Sequence, residues 1–322
     1  MTIPATFVPV VGAGFAALAL TGICLNMTIV VVLARTTEAT FKNGFYFIVR
    51  HLAIVDAVFL TMYLGYAVLV LTQENFLDGA FAFVLANISS VVYAAMITQM
   101  FAMTMNRFVK IVGSISALGD WVVTRLFEER RFLPFIVLVT WLTGIGWTTI
   151  LPIWADCWIF FDPKVAVLGF NCTDYSTDNI LWTAFAGWTY AVIAMLAVLY
   201  AAIFVALRVQ RKSFDSNKSN KTSLQAALIV VMHTVNLSAF FTLGTMDYWL
   251  APVVSSVLSL LNSTVNPLIY WKFNKAMRRA TLSQFGFTSF EETAVQQLDA
   301  KTSKRPRNGT PIGRRTKSEN SI

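Results

Sequence analysis

The sequence predicts an all-α membrane protein: a bundle of seven transmembrane helices followed by a short amphipathic helix. Three observations carry that fold class. The 322 residues are 56% hydrophobic and only 13% charged, too few charges to cover a soluble domain of this length. Seven apolar runs recur along the chain, each reaching the ~20 residues that cross a bilayer. The cations gather at the ends of those runs, on one side of them.

The first run, about Phe7 to Ala34, has no Lys or Arg ahead of it and is closed by Arg35. It is too long for the core of a cleavable signal, so it reads as a span whose N-terminus is translocated. Residues 1–6 then form a short extracellular N-terminus. Further runs follow at about Phe45–Leu71, Ala80–Val112, Phe132–Trp154, Ile180–Leu207, Ser223–Met246 and Tyr248–Trp271. The last two touch, and Asp247 with its neighbours marks the turn. Pro252 and Pro267 in the seventh run are tolerated in a membrane helix, where neighbouring groups re-satisfy the backbone. Residues 7–271 make up the bundle.

Seven spans place the loops on alternate sides. With the N-terminus outside, 24 of the 25 cations fall inside, among them Arg35, Lys42, Arg125, Arg130, Arg131, Arg211, Lys212, Lys218 and Lys221. Only Lys164 lies outside. The positive-inside rule therefore fixes the orientation. A net charge of +8 distributed in this way is not a nucleic-acid surface. The outer loops are acidic, with Glu74, Asp78, Asp156, Asp162, Asp174, Asp178 and Asp247, which serves solubility or attracts cations.

The second outer loop, about Ala155 to Asn179, is the longest outside. Its Cys157 and Cys172 face an oxidising compartment, where a disulfide within the loop competes with two free thiols. Asn171-Cys172-Thr173 is the best-placed glycosylation sequon, and its middle cysteine makes it a poor acceptor once bonded. Asn217, Asn220 and Asn308 head sequons on the inner side. Cys24 lies within the first run and reads as lipid- or helix-facing.

After Trp271, Phe273, Ala276 and Met277 fall at helical spacing between Lys272, Lys275, Arg278 and Arg279. That pattern is an amphipathic helix on the inner leaflet, covering 272–286. Residues 287–322 turn polar and, over Lys301–Lys317, basic. They carry too little apolar content to fold and read as a disordered cytoplasmic tail. The tail has no cysteine, so none can be palmitoylated there.

Asp56 stands in the middle of the second span. A carboxylate there costs several kcal/mol and marks a functional site by default. Its prospective partners are Asn26 in the first span and Asn262, Ser263 and Asn266 in the seventh. Asn262 and Asn266 share a helical face. The group is either a structural polar knot or a switch that depends on Asp56 protonation or a bound cation. Arg107, at the inner end of the third span, either snorkels to the interface or meets a partner.

These residues also stand in a recognisable order. Gly22-x-x-Leu25-Asn26, Leu52-Ala53-x-x-Asp56, Asn106-Arg107-Phe108, Trp141 and Asn262-Ser263-x-x-Asn266-Pro267-Leu268-Ile269-Tyr270 resemble the rhodopsin-like G-protein-coupled receptors from about Gly22 to Ala280. Asn106 stands where that family usually has an acid, Phe108 where it has tyrosine, and Ala82 where it has a cysteine atop span three. Span five lacks its usual proline, and no Trp-x-Pro occurs around His233–Phe241. Asn-Arg-Phe together with Cys157-Trp158-Ile159-Phe160-Phe161-Asp162-Pro163…Cys172 is similar to a nematode chemosensory branch, serpentine receptor class X.

The resemblance implies a ligand among the outer helix halves and a heterotrimeric G protein inside. Arg107 would meet the G protein, with Asn106 and Phe108 beside it, and Tyr270 would swing toward it. Asn106 cannot form an acid–arginine lock, and Lys221–Ser223 offers no acid, so a weakly latched inactive state with high basal signalling is expected. Family sodium sites use a serine near where Met96 stands, which argues against sodium at Asp56. No metal and no cofactor is called for.

Ser89 stands where amine receptors carry an acid, and no mid-membrane lysine in span seven could hold retinal. The outer halves offer Tyr63, Tyr66, Tyr93, Trp182, Trp188, Tyr190, Phe240 and Trp249. From these, a ligand cavity of Ser89, Tyr93, Tyr66, Trp188 and Phe240 is expected, suited to a small apolar or neutral molecule or a short peptide. A transporter is the main competing class, but no internal repeat is visible. An enzyme is weaker still: His51 and His233 look isolated, and no nucleophile–base spacing occurs.

Overall fold

The computed structural model describes residues 2–36, 41, 44–73, 79–113, 132–173, 175–210, 216–243, 246 and 248–286. The outer acids Glu74, Asp78, Asp174 and Asp247 lie outside the described residues. So do Lys42, Arg125, Arg130, Arg131, Arg211, Lys212 and the tail from residue 287. The side chains of Lys218, Lys221, Asn217, Asn220 and Asp178 are likewise outside them.

Seven long helices form one unit, Met1–Thr281. They are α1 (Val8–Arg35), α2 (Gly44–Thr72), α3 (Ala80–Gly113), α4, α5 (Tyr175–Gln210), α6 (Ser216–Leu243) and α7 (Leu250–Phe273). Helix α4 begins as Leu133–Ile145, widens into a π-helical turn over Gly146–Ile150 and ends as Leu151–Trp154. A shorter helix, α8 (Lys275–Gln284), follows α7. The second unit, Leu282–Ile322, is described only to residue 286.

Six of the long helices are apolar and long enough to cross a bilayer, and α6 adds an apolar stretch at Val231–Leu243. Side chains such as Leu20, Leu142, Val198 and Phe204 stay exposed on the outside of the bundle. In water they would be a liability; against lipid tails they cost nothing. Phe15, Leu52, Leu60, Met96, Met100 and Leu196 fill the interior.

Several helices outrun the apolar runs that announce them. Helix α5 starts at Tyr175 rather than Ile180 and ends at Gln210 rather than Leu207. Helix α6 starts at Ser216, seven residues before its run. A helix of 36 residues is roughly 54 Å long at 1.5 Å per residue, well beyond the ~30 Å hydrocarbon layer. The excess turns are polar and leave no mark in hydropathy.

The second outer loop departs from an all-helical chain. It folds into an antiparallel hairpin, β1 (Cys157–Asp162) against β2 (Val167–Cys172), with Cys157 opposite Cys172 in register. Those two residues form a disulfide. At the tip, Asp162 Oδ1 accepts from the Lys164 backbone N–H at 2.9 Å. Ile159 and Phe161 are buried while Trp158 is exposed, the alternation that a half-covered strand requires.

Asn274 makes the corner between α7 and α8. Its Oδ1 accepts from the Met277 backbone N–H at 3.2 Å, an N-cap, and its Nδ2 donates to Tyr46 Oη in α2 at 2.6 Å. Met277, Ala280 and Thr281 are buried on one side of α8, while Lys275 and Arg279 are exposed on the other. Sequence reading began this helix at Lys272; the corner lies two residues later because Lys272 and Phe273 continue α7.

Small residues let the helices touch. A Cβ on Gly144 would lie 2.5 Å from the Val91 carbonyl oxygen, backbone that cannot move aside. Gly144→Val is therefore expected to lower the stability of the purified protein by about 2 kcal/mol, in the range of overpacked cores. Gly14→Ala, which would meet nothing within 4 Å, is the control and should leave the thermal midpoint unchanged.

Candidate functional site

Polar side chains on α7 bond to one neighbouring helix after another. Asn266 Nδ2 donates to Asp56 Oδ2 at 3.0 Å, joining α7 to α2. Asn26 Nδ2 donates to the Ser263 carbonyl at 3.0 Å and to the Gly22 carbonyl at 2.9 Å, joining α1 to α7. Asn262 Nδ2 lies 2.7 Å from His233 Nδ1 in α6. One turn outward, Ser259 Oγ donates to Asn236 Oδ1 at 2.9 Å. Ser263 Oγ lies 3.7 Å from Met96 Sδ, and Tyr270 Oη 3.3 Å from Met103 Sδ, both in α3.

Asn26, Asp56, Asn262, Ser263, Asn266, Pro267 and Tyr270 are all buried. Asn262 and Asn266, on one face by spacing, diverge in partner: Asn262 faces α6 and Asn266 faces α2. Among the described residues, Oδ1 of Asp56 and the Oδ1 atoms of Asn26, Asn262 and Asn266 have no hydrogen-bond partner. Among the described residues, no three His, Cys, Asp or Glu side chains gather as a metal site.

The histidines are not isolated. The Trp141 indole N–H donates to His51 Nε2 at 3.3 Å, which leaves His51 Nδ1–H to donate to Gln99 Oε1 at 2.8 Å. Gln99 Nε2 in turn donates to the Ile48 carbonyl at 3.3 Å. This triad ties α2, α3 and α4 together. Sequence spacing cannot reveal it, since the partners are 48 and 90 positions apart.

At the inner end, the Arg107 guanidinium lies 3.5 Å from the centre of the Phe45 ring. Among the described residues its contact is this aromatic face, in α2, and not a carboxylate. Asn106 is fully buried, and among the described residues neither its Oδ1 nor its Nδ2 has a hydrogen-bond partner. Phe108 is half-buried. Thr104 and Tyr200 hydroxyls meet at 3.1 Å, joining α3 to α5.

At the opposite end of the bundle from Arg107 a cavity opens between the helices and beneath the hairpin. It holds about 540 Å³ of empty space, its mouth included. Tyr93 and Phe240 line it, as do Tyr63 and Trp182. Ser89, Tyr66 and Trp188 do not. Ser89 Oγ is bonded to Tyr66 Oη and to the Ala86 carbonyl, and Trp188 packs on Trp147 and Phe185. The serine that lines the wall is Ser90.

The hairpin supplies Ile159, Leu168, Gly169 and Phe170 to the same cavity, a contribution absent from the residues the sequence suggested for it. Two aromatic and β-branched runs around Pro163, closed by cysteines, were the available signal. Phe161 stacks on Tyr66 with ring centres 4.0 Å apart. Asn87 Nδ2 donates to the Ile159 carbonyl at 3.3 Å, and Ser256 Oγ to the Ala166 carbonyl at 3.1 Å. The Ile3 backbone N–H reaches the Lys164 carbonyl at 2.7 Å and straps the tip. Asn171 is exposed on β2 beside the bonded Cys172.

Residues 17–274 match the family model of the serpentine type 7TM GPCR chemoreceptor Srx, and the chain belongs to that family. Among solved structures it is similar to squid rhodopsin, with a TM-score of 0.75 over 95% of this chain and 93% of that one, at 13% identity. That likeness is one of fold. No curated protein matches the chain.

The bonds between α7 and its neighbours are separable by mutation. Asn26→Ala removes a donor shared by two carbonyls and is expected to cost about 1 kcal/mol, as interhelical hydrogen bonds in membranes do. Thermal unfolding of the purified protein in detergent reads it. Thr21→Ala, whose hydroxyl bonds only within its own helix, should change the midpoint little.

Proposed function

We propose that this chain is a chemosensory receptor of the plasma membrane, with its N-terminus extracellular and its C-terminus cytoplasmic. It binds a small, uncharged, largely apolar ligand, or a short peptide of similar size, in the outer cavity. Binding promotes nucleotide exchange on a heterotrimeric G protein at the inner helix ends. The observation that carries this reading is the continuity of α7: Ser259 borders the cavity, Asn262 and Asn266 bond to α6 and α2 below it, and Tyr270 ends beside α3. A ligand that displaces α6 or α7 at the cavity must strain these bonds, so occupancy and inner-face geometry are coupled.

In this reading Asn26, Asp56, Asn262, Ser263, Asn266, Pro267 and Tyr270 are the switch, and Asn106, Arg107 and Phe108 face the G protein. The orientation rests on the 24 inner cations of 25. Arg107 resting on Phe45 gives the inactive state a latch without an acid. A cation–π contact is worth about 0.5–2 kcal/mol, less than a buried ion pair costs to break. Basal signalling is therefore high.

Three measurements test this. Cells expressing the chain with a G-protein dissociation reporter should signal above mock-transfected cells without added ligand. Arg107→Ala should return that signal to the mock level, while basal activity equal to mock would overturn the weak latch. Substrate uptake by proteoliposomes lacking any G protein would replace the receptor with a transporter. Cys172→Ala, which frees the Asn171 sequon, should add a glycan that an endoglycosidase removes; no glycan would argue against an outer hairpin.

A further inference from the structure

Taking the outer cavity as the ligand site, an assumption that rests on the function just proposed, we propose that the ligand is neutral, has a largely hydrocarbon body and carries a hydrogen-bonding oxygen. Tyr93 Oη is the group that recognises this oxygen. The wall supplies the chemistry by elimination. No charged side chain is among the described residues that form it. An ammonium or carboxylate ligand would lose its hydration there and gain no counter-charge.

A pure hydrocarbon fits the walls of Phe59, Trp182, Phe185 and Phe240 but leaves one group unanswered. Tyr93 is 7% exposed and its side chain lines the cavity, and its hydroxyl, itself buried, has no hydrogen-bond partner among the described residues. Buried hydroxyls are almost always hydrogen-bonded, so the ligand is the natural partner. Two other wall hydroxyls are engaged: Thr148 Oγ1 donates to the Gly144 carbonyl at 2.8 Å and Ser259 Oγ to Asn236 Oδ1 at 2.9 Å.

The Tyr93 ring is held between Phe59 and Phe240, with ring centres 5.8 and 5.9 Å away, so the direction of its hydroxyl is set in advance. Ser90 stands one helical turn earlier on the same face of α3 and offers a second, half-exposed hydroxyl. The polar end of the ligand therefore lies against α3, and its apolar body against α5 and α6.

The test uses the full chain purified into nanodiscs and two fluorine-labelled probes followed by ¹⁹F NMR. 4-Fluoroacetophenone and 4-fluoro-α-methylstyrene share shape and differ in C=O against C=CH₂. Tyr93→Phe should weaken the ketone roughly 3- to 10-fold, the worth of one neutral hydrogen bond, and leave the alkene unchanged. Trp182→Ala should weaken both alike. In the unmutated chain the ketone should also bind more tightly than the alkene once each is corrected for partition into empty nanodiscs, which needs no variant to fold.

Equal ketone binding before and after Tyr93→Phe, with Trp182→Ala still weakening both probes, would overturn recognition by the hydroxyl and leave the cavity as the ligand site. Tighter binding of 4-fluorobenzylammonium than of the ketone would overturn the neutral class. Saturable binding of no probe would remove the cavity itself, and the proposal with it.

Discussion

Lipid offers no hydrogen bonds, so the polar side chains on α7 are bonded within the protein, several of them to another element. That constraint organises the bundle. Asn26 reaches α7 from α1, Asp56 from α2, His233 and Asn236 from α6, and the hairpin receives Ser256. Helix α7 is thus a hub whose neighbours are fixed by directional bonds and not by hydrophobicity, which lipid tails match as well as Leu does. Moving α7 exchanges these bonds together.

The two ends of the hub differ in character. Outward, aromatic rings from α2, α3, α5 and α6 surround a space that the hairpin covers, and the free hydroxyls there lie on α3. Toward the other end, Arg107 rests on an aromatic face and Asn106 is buried without a hydrogen-bond partner among the described residues, which costs desolvation that no bond offsets.

The spans, the disulfide pair and the polar residues of α7 were legible in the sequence because each leaves a local mark. Apolar runs are contiguous, and Asn262-Ser263-x-x-Asn266-Pro267 is a compact motif. What was not legible depends on contacts between distant segments. His51 and His233 look solitary until Trp141, Gln99 and Asn262 arrive from other helices. Ser89 and Ser90 are adjacent in sequence, yet a 100° step around α3 turns one toward Tyr66 and the other to the cavity. The polar ends of α5 and α6 escaped because hydropathy reports the membrane and not the helix.

The hairpin's disulfide closes the loop on itself, across a sequence separation of 15, and leaves α3 out: Ala82 stands atop that helix. During biosynthesis this bond needs only its own stretch of chain, so it can form before the later spans have been inserted. The cover over the cavity is thus closed by its own bond and held to the bundle by a stacked ring, a few carbonyls and the N-terminal strap.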